Sequence, residues 1–249
     1  MNERSASLIA ADWPAPPNVH AFATTRLGGF SAGAFAGLNL AEHVGDESTH
    51  VAQNRRWLRD ALNLPAEPHW LQQVHGGDCA RLPGEARKAD AAFTETTGQV
   101  CAVMTADCLP VLFCDQKGSW VAAAHAGWRG LATGVLENTI ASYPGSPEHL
   151  MAWFGPAIGP KAFEVGPEVR QAFIGQDVAS EAAFEKGAGD RYFADLFQLA
   201  RLRLQAAGVM AVYGGGLCTY SDPERFFSYR RDAVTGRQAS LIWMGAPER

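Results

Sequence analysis

Apolar residues along this chain gather in short blocks, with few long amphipathic stripes. Residues 100–105, 110–114 and 120–124 are apolar at nearly every position and are bounded by polar or turn-forming residues, a pattern that predicts strands buried on both faces. Residues 19–24 alternate modestly and run into Arg26-Leu27-Gly28-Gly29, a strand passing into an irregular loop with Arg26 at the strand end. Further strands are expected at 70–74, 150–154, 209–213 and 239–244. Helical periodicity marks 51–62, with Ser48 to cap it and Pro65 to stop it. It also marks 131–140, 168–174 behind Pro167, and 190–207, where Leu196, Leu199, Ala200 and Leu202 form a stripe ending at Gly208. Gly155-Pro156-Ala157-Ile158-Gly159-Pro160 excludes regular structure. Residues 1–17, with three prolines, read as a partly ordered lead-in. Strand clusters mixed with a few helices, without regular alternation, favour an α+β class.

Length narrows this to one domain, because 249 residues can bury a single sizeable core. A net charge of -5 provides no broad basic field, so neither duplex nucleic acid nor an anionic membrane is an expected partner. Residues 1–11 lack a basic segment followed by an apolar run, and no stretch approaches the ~20 apolar residues of a membrane span, so a cytoplasmic location is expected. Five widely spaced cysteines in a chain of this length point to reduced thiols, with Cys101 and Cys114 as small core residues.

The chemistry concentrates at block ends. Two of the seven histidines, His75 and His125, stand where predicted strands run into glycine-containing loops, and Cys108 lies in the turn between two buried blocks, ahead of Pro110. Two imidazoles and a thiolate suit zinc, which in catalytic sites keeps three protein ligands and one open position. Copper would bind the same set tightly. Spacing does not select this over the alternatives: a cysteine between apolar blocks is usually core, and distant histidines often make separate hydrogen bonds. A metal-free pair in which His125 activates the Cys108 thiol is competing chemistry. Asp107 could orient a ligand histidine, transfer a proton, or only cap a turn. Arg26, Arg129, Arg230 and Arg231 lie in glycine-, aromatic- or turn-rich segments and are candidates for phosphate or carboxylate binding, with a surface salt bridge as the alternative for Arg129. Phe226-Phe227-Ser228-Tyr229-Arg230-Arg231 offers aromatic surface beside two cations.

Gln73-Val74-His75-Gly76, Ala106-Asp107-Cys108-Leu109-Pro110, His125-Ala126-Gly127-Trp128-Arg129-Gly130, the 155–160 loop, and Cys218-Thr219-Tyr220 with the 226–231 segment occur in an order that resembles the laccase-domain purine nucleoside phosphorylase family. Bacterial members are also called polyphenol oxidases and peptidoglycan editing factors. The resemblance covers about 13–244. It implies a single-domain layered α/β/β/α sandwich, similar to the catalytic domain of cytotoxic necrotizing factor toxins. It implies His75, Cys108 and His125 as metal ligands, phosphorolysis of adenosine, inosine and methylthioadenosine, adenosine deamination, and copper-dependent polyphenol oxidation. On that reading Arg26, Arg129, Tyr229 and Arg230 meet the purine nucleoside and phosphate, and Asp107 assists catalysis. The oligomeric state is left open, a monomer being the simplest assembly. An alternative implied activity is Cys-His amide hydrolysis that removes misincorporated L-serine from a nucleotide-linked muramic acid. Four-electron laccase chemistry needs about ten histidines, many in His-x-His pairs. With seven histidines and no such pair, this chain is not expected to perform it.

Overall fold

The structure, a computed structural model, describes residues 7–246. Its strands are β1 (Leu8–Ala10), β2 (Val19–Thr24), β3 (His69–Trp70), β4 (Cys79–Leu82), β5 (Ala91–Thr94), β6 (Val100–Thr105), β7 (Leu109–Asp115), β8 (Val121–Ala126), β9 (Leu150–Phe154), β10 (Glu164–Val165), β11 (Phe184–Lys186), β12 (Tyr192–Ala194), β13 (Ala211–Gly214) and β14 (Gln238–Met244). The helices are α1 (Ser48–Leu62), α2 (Trp128–Ala132), α3 (Val135–Ala141), α4 (Pro167–Ile174), α5 (Leu196–Ala206) and α6 (Tyr229–Asp232).

Two large sheets carry the fold, in the orders β1-β2-β14-β6-β3 and β13-β9-β7-β8-β5-β4, beside a small sheet β10-β12-β11. The doubly apolar blocks explain why the two sheets stack. Cys101 and Val103 of β6, with Ala21, Ala23 and Ile242, face Leu112, Cys114, Ala123 and Trp153 of the six-stranded sheet. The alternate residues of the same strands face outward. Val111, Phe113, Ala124 and Phe154 pack under Leu131, Leu136, Leu199 and Leu204 from α2, α3 and α5. Ala102, Met104, Leu241 and Trp243 pack under Leu58 of α1 and the Leu38–Leu40 loop. Every residue of β6, β7, β8 and β14 is therefore buried, which is why their sequences lack a polar alternation. The layers run helix, sheet, sheet, helix, in a mixed α/β fold. The Cys101 and Cys114 thiols sit between the sheets, where burial pushes their pKa far up, and all five cysteines are unpaired.

Several expected elements are redrawn. The strand expected at 70–74 is only His69–Trp70, because the Gln73 side chain replaces the ladder. Its Nε2 donates to the Met104 carbonyl and its Oε1 accepts from the Met104 amide, both at 2.8 Å. The helix expected at 131–140 is two helices separated by Gly134, whose φ of 88° breaks the α conformation. The region 190–207 begins as β12, and α5 starts only where Asp195 Oδ1 accepts from the Gln198 amide. Ser48 is the first residue of α1 and does not cap it; Asn63, in the left-handed conformation, ends the helix before Pro65. The lead-in contributes β1 at a sheet edge, and residues 1–6 of it lie outside the described residues. The short strands β4, β5 and β10 to β12 carried too little pattern to be anticipated. Among the described residues no helix is long and apolar enough to cross a membrane.

Phe113 is fully buried against the helical layer. Phe113→Ala is expected to lower unfolding free energy by about 3–5 kcal/mol in urea titrations. A loss under about 1 kcal/mol would contradict this packing.

Candidate metal centre

Between β6 and β7 the chain leaves one large sheet and enters the other within three residues, Ala106 to Cys108. Asp107 takes a φ of 96° to make that crossing. Cys108 is thereby delivered to one end of the sandwich. His125 is on β8, in the same alternation as Val121 and Ala123, so its ring points between the sheets and is buried. His75 follows β3 in a loop at φ 61°. The ligand atoms of His75, Cys108 and His125 all lie within 4.8 Å of one another, and the two imidazole rings meet edge to face at 4.8 Å. Gly127 is required for this approach: a Cβ there would sit 2.7 Å from Cys108 Sγ.

A residue not anticipated from the sequence organises the triad. Asp90, fully buried just before β5, accepts a hydrogen bond from His125 Nδ1 at 2.8 Å. The same carboxylate accepts the main-chain amides of Val74 (3.1 Å), His75 (2.8 Å) and Gly76 (2.7 Å). One side chain thus sets the tautomer of one ligand, freeing its Nε2 for the site, and fixes the strained loop that carries another. Burial pushes the Asp90 pKa up, but His125 and the loop amides outweigh it and hold the group below the usual carboxylate range. A signal was present in the sequence, a lone acid between alanines at the head of an apolar block.

The triad is electrostatically coupled. Burial raises the Cys108 pKa, yet the two histidines more than reverse this and bring the thiol down to about 6. Burial opposes charge on His125, while Cys108 and Asp90 raise its pKa to about 9. The protein is built to keep the sulfur as a thiolate, the form that ligates a metal. Two nitrogens and a thiolate, close together, with one histidine backed by a carboxylate, fit the three-ligand set of a catalytic transition metal.

The triad forms one wall of a cavity of about 430 Å³, lined also by His43, Gln73, Met104, Thr105, Arg129, Tyr229 and Arg237. Arg129, exposed and stacked on Trp128 at 4.5 Å, and Tyr229, the first residue of α6, are both among these lining residues. Arg26 and Arg230 are not among the lining residues. Arg26 binds the carbonyls of Ala36 and Pro223 and lies over Phe227 at 4.7 Å, while Arg230 binds the Glu164 carbonyl at 2.8 Å. Both tie loops together. Arg231 does likewise, on the carbonyls of Thr219, Tyr220 and Phe226. Phe226 and Phe227 are buried core. Asp107 does not orient a histidine. Its carboxylate accepts from Thr219 Oγ1 (2.6 Å), Ser228 Oγ (3.0 Å) and the Arg230 amide (2.6 Å), anchoring the 218–231 segment that carries Tyr229. His43, Gln73, Thr105 and Arg237 were missed, because each reaches the cavity from a separate part of the chain.

Residues 20–245 match the family described as multi-copper polyphenol oxidoreductase laccase. The chain is 55% identical over 240 residues to the purine nucleoside phosphorylase YfiH of Escherichia coli, covering 95% of this chain and 98% of that one. A purine nucleoside phosphorylase of Haemophilus influenzae is 48% identical over 239 residues, covering 94% of this chain and 98% of the relative. Among solved structures, a Neisseria meningitidis protein superposes with a TM-score of 0.93 at 49% identity, covering 96% of this chain and all of that one.

Replacing Asp90 by asparagine removes the charge behind His125, and metal affinity measured against a competing chelator is expected to fall by about 10–100-fold. Unchanged affinity would separate Asp90 from the metal function. In metal-stripped protein, alkylation of Cys108 followed by mass spectrometry is expected to be slow below pH about 6 and to rise through it, where an ordinary thiol would wait for about 9. A midpoint above 8 would contradict the thiolate assignment.

Proposed function

The chain belongs to the multi-copper polyphenol oxidoreductase laccase family, and we propose that it is a metal-dependent purine nucleoside phosphorylase acting on adenosine, inosine and methylthioadenosine. The observation that carries this is the His75–Cys108–His125 cluster on the wall of a cavity of about 430 Å³, within the range of small-molecule sites, in a chain whose relatives bear that name. Zinc is the proposed metal, since the set is three-coordinate with mixed nitrogen and sulfur donors. When bound, it supplies a Lewis acid at the cavity wall. His75, Cys108 and His125 hold it, Asp90 keeps His125 Nδ1 protonated, and Asp107 positions the segment whose Tyr229 faces the cavity. The Tyr229 ring, 59% exposed, is free to cover a purine face, and Arg129 stands at the rim beside it. Deamination of adenosine and, with copper, weak polyphenol oxidation are proposed at the same site. We place this enzyme in the cytoplasm, as one domain over 1–249 and as a monomer.

A second reading is favoured by the lowered Cys108 pKa beside His125: amide hydrolysis by a thiolate-imidazole pair, of the kind implied by the resemblance to the toxin domain, acting on a serine-bearing peptidoglycan precursor. Metal separates the two. Purified wild type is expected to carry near-stoichiometric zinc by elemental analysis and to release hypoxanthine from inosine plus phosphate, while Cys108→Ala loses both. Phosphorolysis that survives complete metal removal would overturn the first reading, and serine release by metal-stripped wild type would establish the second.

A further inference from the structure

The cavity that the triad lines also carries a cation with unpartnered hydrogen-bond donors. Arg237, just ahead of β14, is largely desolvated, and Nη1 donates to the carbonyls of Thr235 (2.9 Å) and Gly236 (3.0 Å). Its Nε and Nη2 have no hydrogen-bond partner, and no carboxylate pairs with it, among the described residues. Arg26 and Arg230 spend their donors on carbonyls outside the cavity, and Arg129 is exposed at its rim. The acidic groups that act on it include the Cys108 thiolate and the Asp107 carboxylate, and both are engaged elsewhere, by the two histidines and by three donors respectively. The Tyr229 ring lies 5.8 Å from the guanidinium and shields it from one side.

A second, independent observation lies across the strand pair. Thr105 is the last residue of β6 and pairs with Gln238, the residue after Arg237. It is 2% exposed, it lines the cavity, and its hydroxyl has no hydrogen-bond partner among the described residues. A buried hydroxyl left unsatisfied loses the bonds it makes in water, so such a group inside a cavity points to a ligand atom. His43 stands at the same cavity, and Arg237 and Arg55 weaken its hold on a proton after burial has already done so.

We propose that Arg237 and Thr105, with His43 beside them, form the seat of the phosphate co-substrate. The proposal rests on the phosphorolysis reading and names the residues that hold its second substrate. A guanidinium with two unpartnered donor nitrogens and a hydroxyl donor match the oxygens of a tetrahedral dianion, which would also compensate the desolvated charge. From this seat a phosphate oxygen bonds to the sugar C1′ as the C1′–N9 bond breaks. The electron pair of that bond goes to the purine nitrogen, which ends with the proton of the hydrogen phosphate, so the products are sugar 1-phosphate and free purine. Arg237 holds the phosphate charge throughout and takes no proton.

The test is steady-state phosphorolysis of inosine by metal-loaded protein, varying phosphate and inosine separately, in wild type, Arg237→Lys, Arg237→Met and Thr105→Val. The KM for phosphate is expected to rise at least tenfold in both Arg237 variants and several-fold in Thr105→Val, with the KM for inosine within about twofold of wild type. The lysine variant keeps the charge and loses the fork, so a rise there identifies directed hydrogen bonding. An unchanged phosphate KM in Arg237→Met would overturn the proposal, as would an equal rise in both KM values. Should Arg237→Met unfold, Thr105→Val and Arg237→Lys decide by the same criterion. If wild type does not cleave inosine at all, the phosphorylase reading falls, and calorimetric titration with inorganic phosphate still judges the seat: binding by wild type lost in Arg237→Lys supports it, and equal heats from both overturn it.

Discussion

The buried Asp90 carboxylate is the constraint on which the functional end of this molecule depends. A carboxylate without solvent is tolerated only where donors surround it, and here they are one imidazole and three consecutive loop amides. The cost of burying the charge is offset by ordering the site. The loop at 74–76 has no ladder of its own, and His75 sits at positive φ, so the loop would wander without this anchor. Asp90 therefore couples a strained segment to a strand-borne histidine. Removing the carboxylate would loosen one ligand and free the tautomer of another.

A second buried carboxylate, Asp107, performs the parallel task next to Cys108 in the chain. It gathers Thr219, Ser228 and the amide of Arg230, and so fixes the segment that roofs the cavity. Both acids have their negative charges engaged by donors. The Cys108 pKa is left to the two histidines, and the result is a thiolate in a mostly buried site. Gly127 completes the arrangement by omission of a Cβ. The candidate ligand cluster and the cavity shape are thus ordered by separate polar networks, one centred on Asp90 and one on Asp107.

The family description speaks of several copper ions, and the site does not resemble such a centre in donor number. Among the described residues the metal-ligand cluster comprises three residues, and of the seven histidines only His43 otherwise reaches the cavity. The site offers three ligand atoms beside a cavity of about 430 Å³.

The apolar blocks of β6, β7, β8 and β14 were legible because a strand buried on both faces needs uninterrupted apolar residues, and that requirement is local. His75, Cys108 and His125 stood out for a related reason: each is a chemical exception at the end of a block, and motif order drew them together. What the chain alone did not disclose was which polar group answers which. Asp107 and Asp90 both lie near apolar segments, and only the pairing of β5 with β8 set Asp90 against His125, as only the folding of the 218–231 segment onto the crossing set Ser228 against Asp107. The arginines show the same division. Arg26 and Arg230 sit in promising loops, yet their guanidinium groups were taken by nearby carbonyls, while Arg237, ahead of an ordinary strand, was carried to the cavity by pairing of β14 with β6. Burial pattern is written in consecutive residues, whereas the partner of a charged group is often a group far along the chain, 35 positions for Asp90 and His125 and 121 for Asp107 and Ser228, that arrives only once the core has closed.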